Sequence, residues 1–169
     1  MAEVRVEHVF ECTPEFFWEK IFFDAEFNRR MYLEELGFSS WKEVSVREDD
    51  AKISRVVEVS PPVGELPGPL KKLVGEGFGY REQGEFDKST QRYRVTAVPN
   101  RLGDKLSVVG ELWVEPVGES ACRRIFEAKV VAKVFGVGGL LESRIVNDTK
   151  KNYEEAAGYT RKFLAARSA

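Results

Sequence analysis

Val4, Val6, His8 and Phe10 alternate with Arg5, Glu7, Val9 and Glu11, close to the two-residue period of a half-buried strand. Thr13-Pro14 then supplies an N-cap with proline at the first helical position. The helix this predicts, from Glu15 to about Phe23, is short and aromatic: Phe16, Phe17, Trp18, Phe22 and Phe23. Asp24 is placed to cap a second short helix through Tyr32 and Leu36, which Gly37 stops. From Trp41 to Ala132 the pattern changes to strands separated by turn signals. Residues 41–47 and 52–60 flank Glu48-Asp49-Asp50, and residues 76–85 and 90–98 flank Phe86-Asp87-Lys88-Ser89. Residues 105–115 and 121–132 flank Pro116-Val117-Gly118-Glu119-Ser120. Asp87 and Ser89 can bond the local backbone and favour a turn. Short strands joined by turns of this length predict one antiparallel meander rather than a parallel sheet.

Two segments break the regularity. Pro61-Pro62-Val63-Gly64-Glu65-Leu66-Pro67-Gly68-Pro69 holds four prolines and two glycines in nine residues and reads as irregular. Gly136-Val137-Gly138-Gly139 separates the last strand from a terminal helix over residues 140–166. That helix places Leu141, Ile145, Thr149, Asn152, Ala156, Tyr159 and Phe163 on one stripe, in steps of three and four. At ~1.5 Å per residue it is roughly 40 Å long, enough to cross a whole sheet. Gly158 inside it predicts either a close approach of another backbone or simple tolerance. The expectation is an α+β fold in one domain, residues 1–169: a strand, two short helices, six strands and a long C-terminal helix.

Composition narrows the function. The 169 residues suffice for a continuous core without disulfides or metal. Net charge is −2 with basic and acidic residues interspersed, so no basic face for nucleic acid is expected. Cys12 and Cys122 are distant in sequence, lie at strand ends and read as small buried hydrophobes rather than a bridge. One histidine and two separated cysteines lack the spacing of a zinc site, and no cofactor is implied. MAEVRVEHVF has neither the basic nor the apolar region of a secretory signal, and no apolar run reaches the ~20 residues of a membrane span. A cytoplasmic location is expected.

The order of elements resembles the START-like superfamily (SRPBCC, or helix-grip fold) over nearly the whole chain. Residues 132–142, Ala-Lys-Val-Phe-Gly-Val-Gly-Gly-Leu-Leu-Glu, are similar to an uncharacterised bacterial family within it. The stretch from Trp41 through Arg55 to Pro61, with its Pro/Gly-rich sequel, resembles the same family and more distantly the sterol-binding VASt domains. The resemblance implies a curved sheet gripping the long helix around a cavity. In that superfamily the cavity holds lipids, sterols, polyketides or plant hormones, and some members are cyclases or hydrolases. Fold alone does not choose among these.

Arg55 shares a strand face with Ile53, Val57 and Val59, so it is expected to point inward, where a guanidinium needs partners. It anchors a ligand's anionic group, pairs with an internal glutamate such as Glu82 or Glu111, or occupies an exposed edge position. Phe78, Tyr80, Tyr93 and Phe126 supply apolar surface with occasional polar tips, suited equally to core and to pocket. With Val57, Leu141, Ile145 and Asn152 they make up the expected ligand-binding set. His8 reads as a satisfied core group, and no residue is assigned a catalytic role, because no nucleophile–base motif accompanies it. Leu66, Leu70, Lys71, Lys72 and Leu73, in and just after the proline-rich run, are expected to form either a lid or transient membrane contact or a plain surface loop. The leading expectation is a noncatalytic carrier of a hydrophobic small molecule. The alternatives are an enzyme acting on a polyketide-like or aromatic substrate, and an interaction module without a cavity.

Overall fold

Turn chemistry in the sequence sets where the strands end. In the computed structural model, which describes residues 1–168, Asp49 Oδ1 accepts from the backbone N–H groups of Ala51 and Lys52 at 2.8 and 2.9 Å. Asp87 Oδ1 does the same for Ser89 and Thr90. The strands so delimited are β1 (Ala2–Phe10), β2 (Ser40–Glu48), β3 (Lys52–Ser60), β4 (Tyr80–Asp87), β5 (Arg92–Pro99), β6 (Leu106–Val117) and β7 (Ala121–Ala132). They form one curved antiparallel sheet in the order β1-β7-β6-β5-β4-β3-β2, a meander that β1 joins beside β7.

The helices follow their caps. Thr13 Oγ1 accepts from Phe16 N–H, and α1 runs as an α-helical turn (Pro14–Phe16) continuing into a π-helix (Phe17–Phe22). Asp24 Oδ1 accepts from Phe27 N–H at 2.8 Å, and α2 likewise passes from α-helix (Ala25–Arg30) to π-helix (Met31–Glu35). A short α3 (Gly68–Val74) follows β3, and α4 (Gly138–Ser168) lies along β1 and β7. The start of α4 requires glycine: a Cβ on Gly138 would collide with the Ala132 carbonyl oxygen.

Three local expectations are corrected, and of the two alternatives for Gly158 simple tolerance holds. Residues 68–74 are not loop but the helix α3, since a proline within the first helical turn leaves no needed donor missing. β4 begins at Tyr80 rather than at residue 76, so Phe78 sits in a loop. Gly75 and Gly77 there take positive φ (61° and 73°), and Asn100 bonds both Gly79 N–H and the Gly77 carbonyl. The buried stripe of α4 runs through Leu141, Ala156, Ala157, Thr160 and Leu164, and Tyr159 and Phe163 flank it. A Cβ on Gly158 would meet nothing within 4 Å, so no close approach demands glycine there.

The inner face of the sheet is filled at its two ends. At one end Phe10, Phe17, Trp18, Phe22, Phe23, Phe86 and Tyr93 form an aromatic cluster. At the other, Leu70, Leu106, Val130 and Leu141 pack together. Cys12 and Cys122 are buried free thiols beside the aromatic end, Sγ to Sγ 3.9 Å. Asn28 Nδ2 donates to the carbonyls of Ile21, Phe22 and Asp24, which ties α1 to α2.

Gly84 and Gly110 lie beneath the rings of Tyr93 and Phe126, each too close for a Cβ to intervene. Gly84→Ala is expected to lower stability by about 1–3 kcal/mol in urea denaturation, because the Tyr93 ring must shift. Combined with Tyr93→Leu, the two losses should sum to less than their separate values.

Candidate functional site

Strand register fixes which side chains meet between the sheet and α4. One inward row reads Arg55, Gly84, Val95, Gly110, Ala128 and Val4 across β3 to β1. The next reads Glu43, Val57, Glu82, Ala97 and Val108 from β2 to β6. In the first row the rings of Tyr93 and Phe126 cover Gly84 and Gly110, while in the second Glu43, Glu82, Ala97 and Val108 are only half-buried, and the hollow lies over this second row. α4 makes its main packing on β1 and β7. Tyr80, Glu82, Val95, Ala97, Val108, Ile145 and Tyr153 therefore face inward yet keep accessible surface.

Around this hollow stands a group of polar tips that sequence reasoning largely missed. Glu82 projects from the centre of β4, with Tyr80 two residues away on the same face. Tyr32 comes from α2, Tyr93 from β5 and Tyr153 from α4. Burial raises the Glu82 carboxyl above the ordinary glutamate range, partly offset by the positive charge of Arg55. Burial likewise raises the phenols of Tyr32, Tyr80, Tyr93 and Tyr153, and the charge of Glu82 adds to each. Tyr93 Oη is enclosed without a hydrogen-bond partner, whereas Glu82, Tyr32, Tyr80 and Tyr153 are half-buried. The alternation of β4 could have flagged Glu82 as an inward carboxylate. Nothing in sequence spacing could bring Tyr32 and Tyr153 to it, since they come from elements distant in the chain.

Arg55 points inward as expected and is only 5% exposed, but it meets neither glutamate proposed for it. Its Nη1 donates to the Phe22 carbonyl at 2.8 Å, and its guanidinium stacks 4.4 Å from the Phe22 ring centroid with Phe23 and Tyr93 alongside. It thereby closes the carbonyl end of α1 against β3. Glu111 is bonded to Arg92 on the outer face instead. Val57 is buried, and Phe126 stacks on Tyr153 with ring centroids 4.6 Å apart. Leu141 belongs to the leucine end and Ile145 borders the hollow. Tyr153, one position on from Asn152, is the residue of that turn that stacks on the sheet; Asn152 is half-buried. Phe78 is half-buried in its loop.

His8 is a satisfied core group. Arginine can only donate, so the Arg124 Nη2 contact at 3.1 Å makes His8 Nδ1 the acceptor. Nε2–H then donates to Glu154 at 2.7 Å. Burial lowers the His8 pKa; the Glu154 hydrogen bond opposes this and the Arg124 charge adds to it. Arg124 is itself buried, donates to the Tyr153 carbonyl in α4 and stacks on Phe10 and Tyr153. Burial brings its pKa down to about 10.

The segment expected to act as a lid covers the leucine end. Leu70 is 1% exposed and packs with Leu106, Val130 and Leu141, while Leu66 and Leu73 are half-buried and Lys71 and Lys72 face solvent. Membrane contact through Leu70 would first require α3 to lift. Arg144 of α4 straps this segment down, donating to the carbonyls of Val63 (2.9 Å) and Glu65 (3.0 Å) while paired with Asp148. Two surface grooves lie elsewhere. One, of about 550 Å³, is lined by Ser54, Val56, Gln83, Glu85, Arg94 and Thr96 of the outer face together with Arg55, Gly84 and Val95 of the first inward row. The other, of about 310 Å³, lies between the end of β1 and the C-terminal part of α4. Among the described residues no cluster of three metal-binding side chains occurs, and no helix is long and apolar enough to cross a membrane.

His8 and Glu82 act on stability with opposite signs. A lowered histidine pKa means the unfolded chain binds more protons below the ordinary value of about 6.5, so stability falls as pH drops through that window. A raised glutamate pKa means the folded chain binds more, so stability falls as pH rises from about 4.3 through the folded value. His8→Gln should therefore remove an acid-side loss, and Glu82→Gln should be more stable than the parent at pH 8. Each contributes a slope of at most about 1.4 kcal/mol per pH unit, read by urea denaturation across pH 4–8.

Solved structures share this architecture. TTHA0849 from Thermus thermophilus matches with a TM-score of 0.68 at 21% identity, over 99% of this chain and 100% of that one. The Zhui aromatase/cyclase of a Streptomyces species gives 0.68 at 9% identity, over 99% and 96%. Norcoclaurine synthase from Thalictrum flavum gives 0.65 at 13% identity, over 97% and 86%. These likenesses establish the helix-grip fold. No curated protein sequence matches the chain. The family model described as "Protein of unknown function (DUF2505)" covers residues 5–164, and the chain belongs to that family.

Proposed function

We propose that this protein binds a mostly apolar small molecule, without transforming it, in the hollow between the sheet and α4. The observation that carries this reading is the inward set of Glu82, Tyr32, Tyr80 and Tyr153, half-buried polar groups beside a floor of Ala97 and Val108, with the enclosed and unpartnered Tyr93 hydroxyl among them. A core serving packing alone would pair or replace such groups, because an unsatisfied buried donor or acceptor costs about 1–3 kcal/mol. A ligand with an apolar body and one polar group would satisfy both the floor and the tips. The two filled ends favour a compact molecule over a long acyl chain. Proteins of the same fold that are named aromatase/cyclase and norcoclaurine synthase support the hollow as a place for small molecules.

One observation favours a second reading. A carboxyl held above its ordinary pKa among phenols is suited to proton transfer, so Glu82 could act as a general acid–base in an enzyme. Loss of turnover in Glu82→Gln with binding retained would select that reading.

Native mass spectrometry of freshly purified protein, followed by organic extraction, tests the binding proposal. A discrete additional mass lost on extraction is expected; its absence, together with failure to bind any apolar probe, would end the proposal. Entry is assigned to the segment over residues 63–74. Arg144→Ala removes its strap, and hydrogen exchange in that segment should accelerate by about tenfold or more while β6 and β7 stay protected. Unchanged exchange would show that the strap does not hold the lid.

A further inference from the structure

We propose that Cys12 and Cys122 form a reactive dithiol that reduces a small hydroperoxide, with Cys12 as the attacking thiol and Cys122 as the resolving one. The pair lies at the aromatic end of the molecule and is independent of the small-molecule reading above.

Strand pairing brings the two thiols together. Phe10, the last residue of β1, pairs with Cys122, the second residue of β7. Burial alternates through Phe10, Glu11 and Cys12, so Cys12 turns inward with Phe10 just before α1 begins. Both thiols are free, and their Sγ atoms stand 3.9 Å apart in hydrogen-bonding contact. A disulfide needs about 2.05 Å between the sulfurs, and rotation about the two Cα–Cβ bonds can supply the difference.

The two thiols differ in access. Cys12 is 7% exposed and lines the groove of about 310 Å³ beside the C-terminal part of α4, whereas Cys122 has no exposed surface. So narrow an opening suits a hydroperoxide better than a disulfide, which must lie in line with the attacking sulfur. The charged residues lining the groove are Glu11, Glu119 and Arg167. A neutral hydroperoxide is indifferent to that balance, while an anionic oxidant would meet two carboxylates. The thiols differ in acidity as well. A hydrogen bond from the Cys122 S–H favours the Cys12 thiolate and lowers its pKa, against burial and the Glu11 charge. The same bond, with burial, pushes Cys122 up. The better thiolate is therefore the one that faces the groove.

The chemistry runs in two steps. The Cys12 thiolate attacks a peroxide oxygen, forming an S–O bond as the O–O bond breaks. Water or an alcohol leaves after taking up a proton, so sulfur loses the two electrons that the peroxide gains. The Cys122 thiol then attacks the sulfur of the Cys12 sulfenic acid; the S–S bond forms, and the hydroxyl leaves as water with the Cys122 proton. An external dithiol reductant restores both thiols by exchange at Cys12, the sulfur the groove exposes.

Hydrogen peroxide added to the reduced protein at neutral pH, with intact mass read after quenching and alkylation, tests the proposal. The parent should lose two hydrogens together with both alkylation sites and regain them with dithiothreitol. The bridge should form about tenfold or more faster in the folded protein than in the chain unfolded in urea. Cys122→Ala should stop at a sulfenic acid on Cys12 that dimedone captures, and Cys12→Ser should react about tenfold or more slowly than the parent. Circular dichroism checks that both variants fold, and the comparison of folded with unfolded parent stands without them. The proposal is overturned if the parent does not bridge, if it bridges no faster than the unfolded chain, or if folded Cys12→Ser reacts as fast as the parent. Bridging by oxidised glutathione as fast as by peroxide would overturn the assignment to a hydroperoxide.

Discussion

One helix cannot cover seven strands. α4 packs on β1 and β7, and the curved sheet carries its remaining inner face away from that contact. Everything else between the layers follows from how that uncovered face is managed. At one end the aromatic residues of α1 are driven into it, and at the other α3 lowers Leu70 onto Leu106 and Leu141. In the middle the rings of Tyr93 and Phe126 cover Gly84 and Gly110, and the neighbouring row of Glu82, Ala97 and Val108 is left half-buried.

Two buried arginines hold the layers at this spacing. Arg55 joins β3 to the carbonyl end of α1, and Arg124 joins β7 to a carbonyl within α4. Neither has a carboxylate partner among the described residues, yet each lies against two or more aromatic faces. A guanidinium is weakly hydrated and planar, so rings and one carbonyl replace water better for it than for a lysine. The same solution appears at both arginines and leaves the carboxylate of Glu82 unclaimed. The polarity of the hollow is thus a consequence of how the arginines are satisfied.

The fold is legible in the sequence because its determinants are local. Asp49, Asp87, Thr13-Pro14 and Asp24 act within four residues of themselves, and each turn or cap they announce is present. Alternation places Arg55 and His8 on the inner face correctly. What each one touches is not legible: Phe22 and Arg124 lie far along the chain from them, and no period in the sequence encodes such a meeting. Phe78 falls outside its expected strand for a related reason, since Gly75 and Gly77 delay the strand through backbone geometry that hydrophobic pattern does not carry. The expected stripe reaches Asn152 rather than Tyr153 because a stripe with fixed steps drifts around a helix this long. The tyrosines of the site therefore emerge only with the tertiary structure.

The hollow and its cover make opposite demands on the same chain. Filling the centre with larger side chains would add apolar burial, at about 25 cal/mol per Å², and replacing Glu82 would remove a desolvated carboxyl. Either change would favour a tighter core. Covering the leucine end with α3, by contrast, secures packing at Leu70 and leaves the segment attached to α4 through Arg144 and two backbone carbonyls. Those two bonds involve a partly exposed guanidinium and open at far smaller expense than unfolding the sheet. The arrangement joins a rigid, imperfectly filled interior to a cover held by few contacts. A protein that needs only to be stable gains nothing from that combination, whereas one that must admit and enclose a small molecule requires both halves of it.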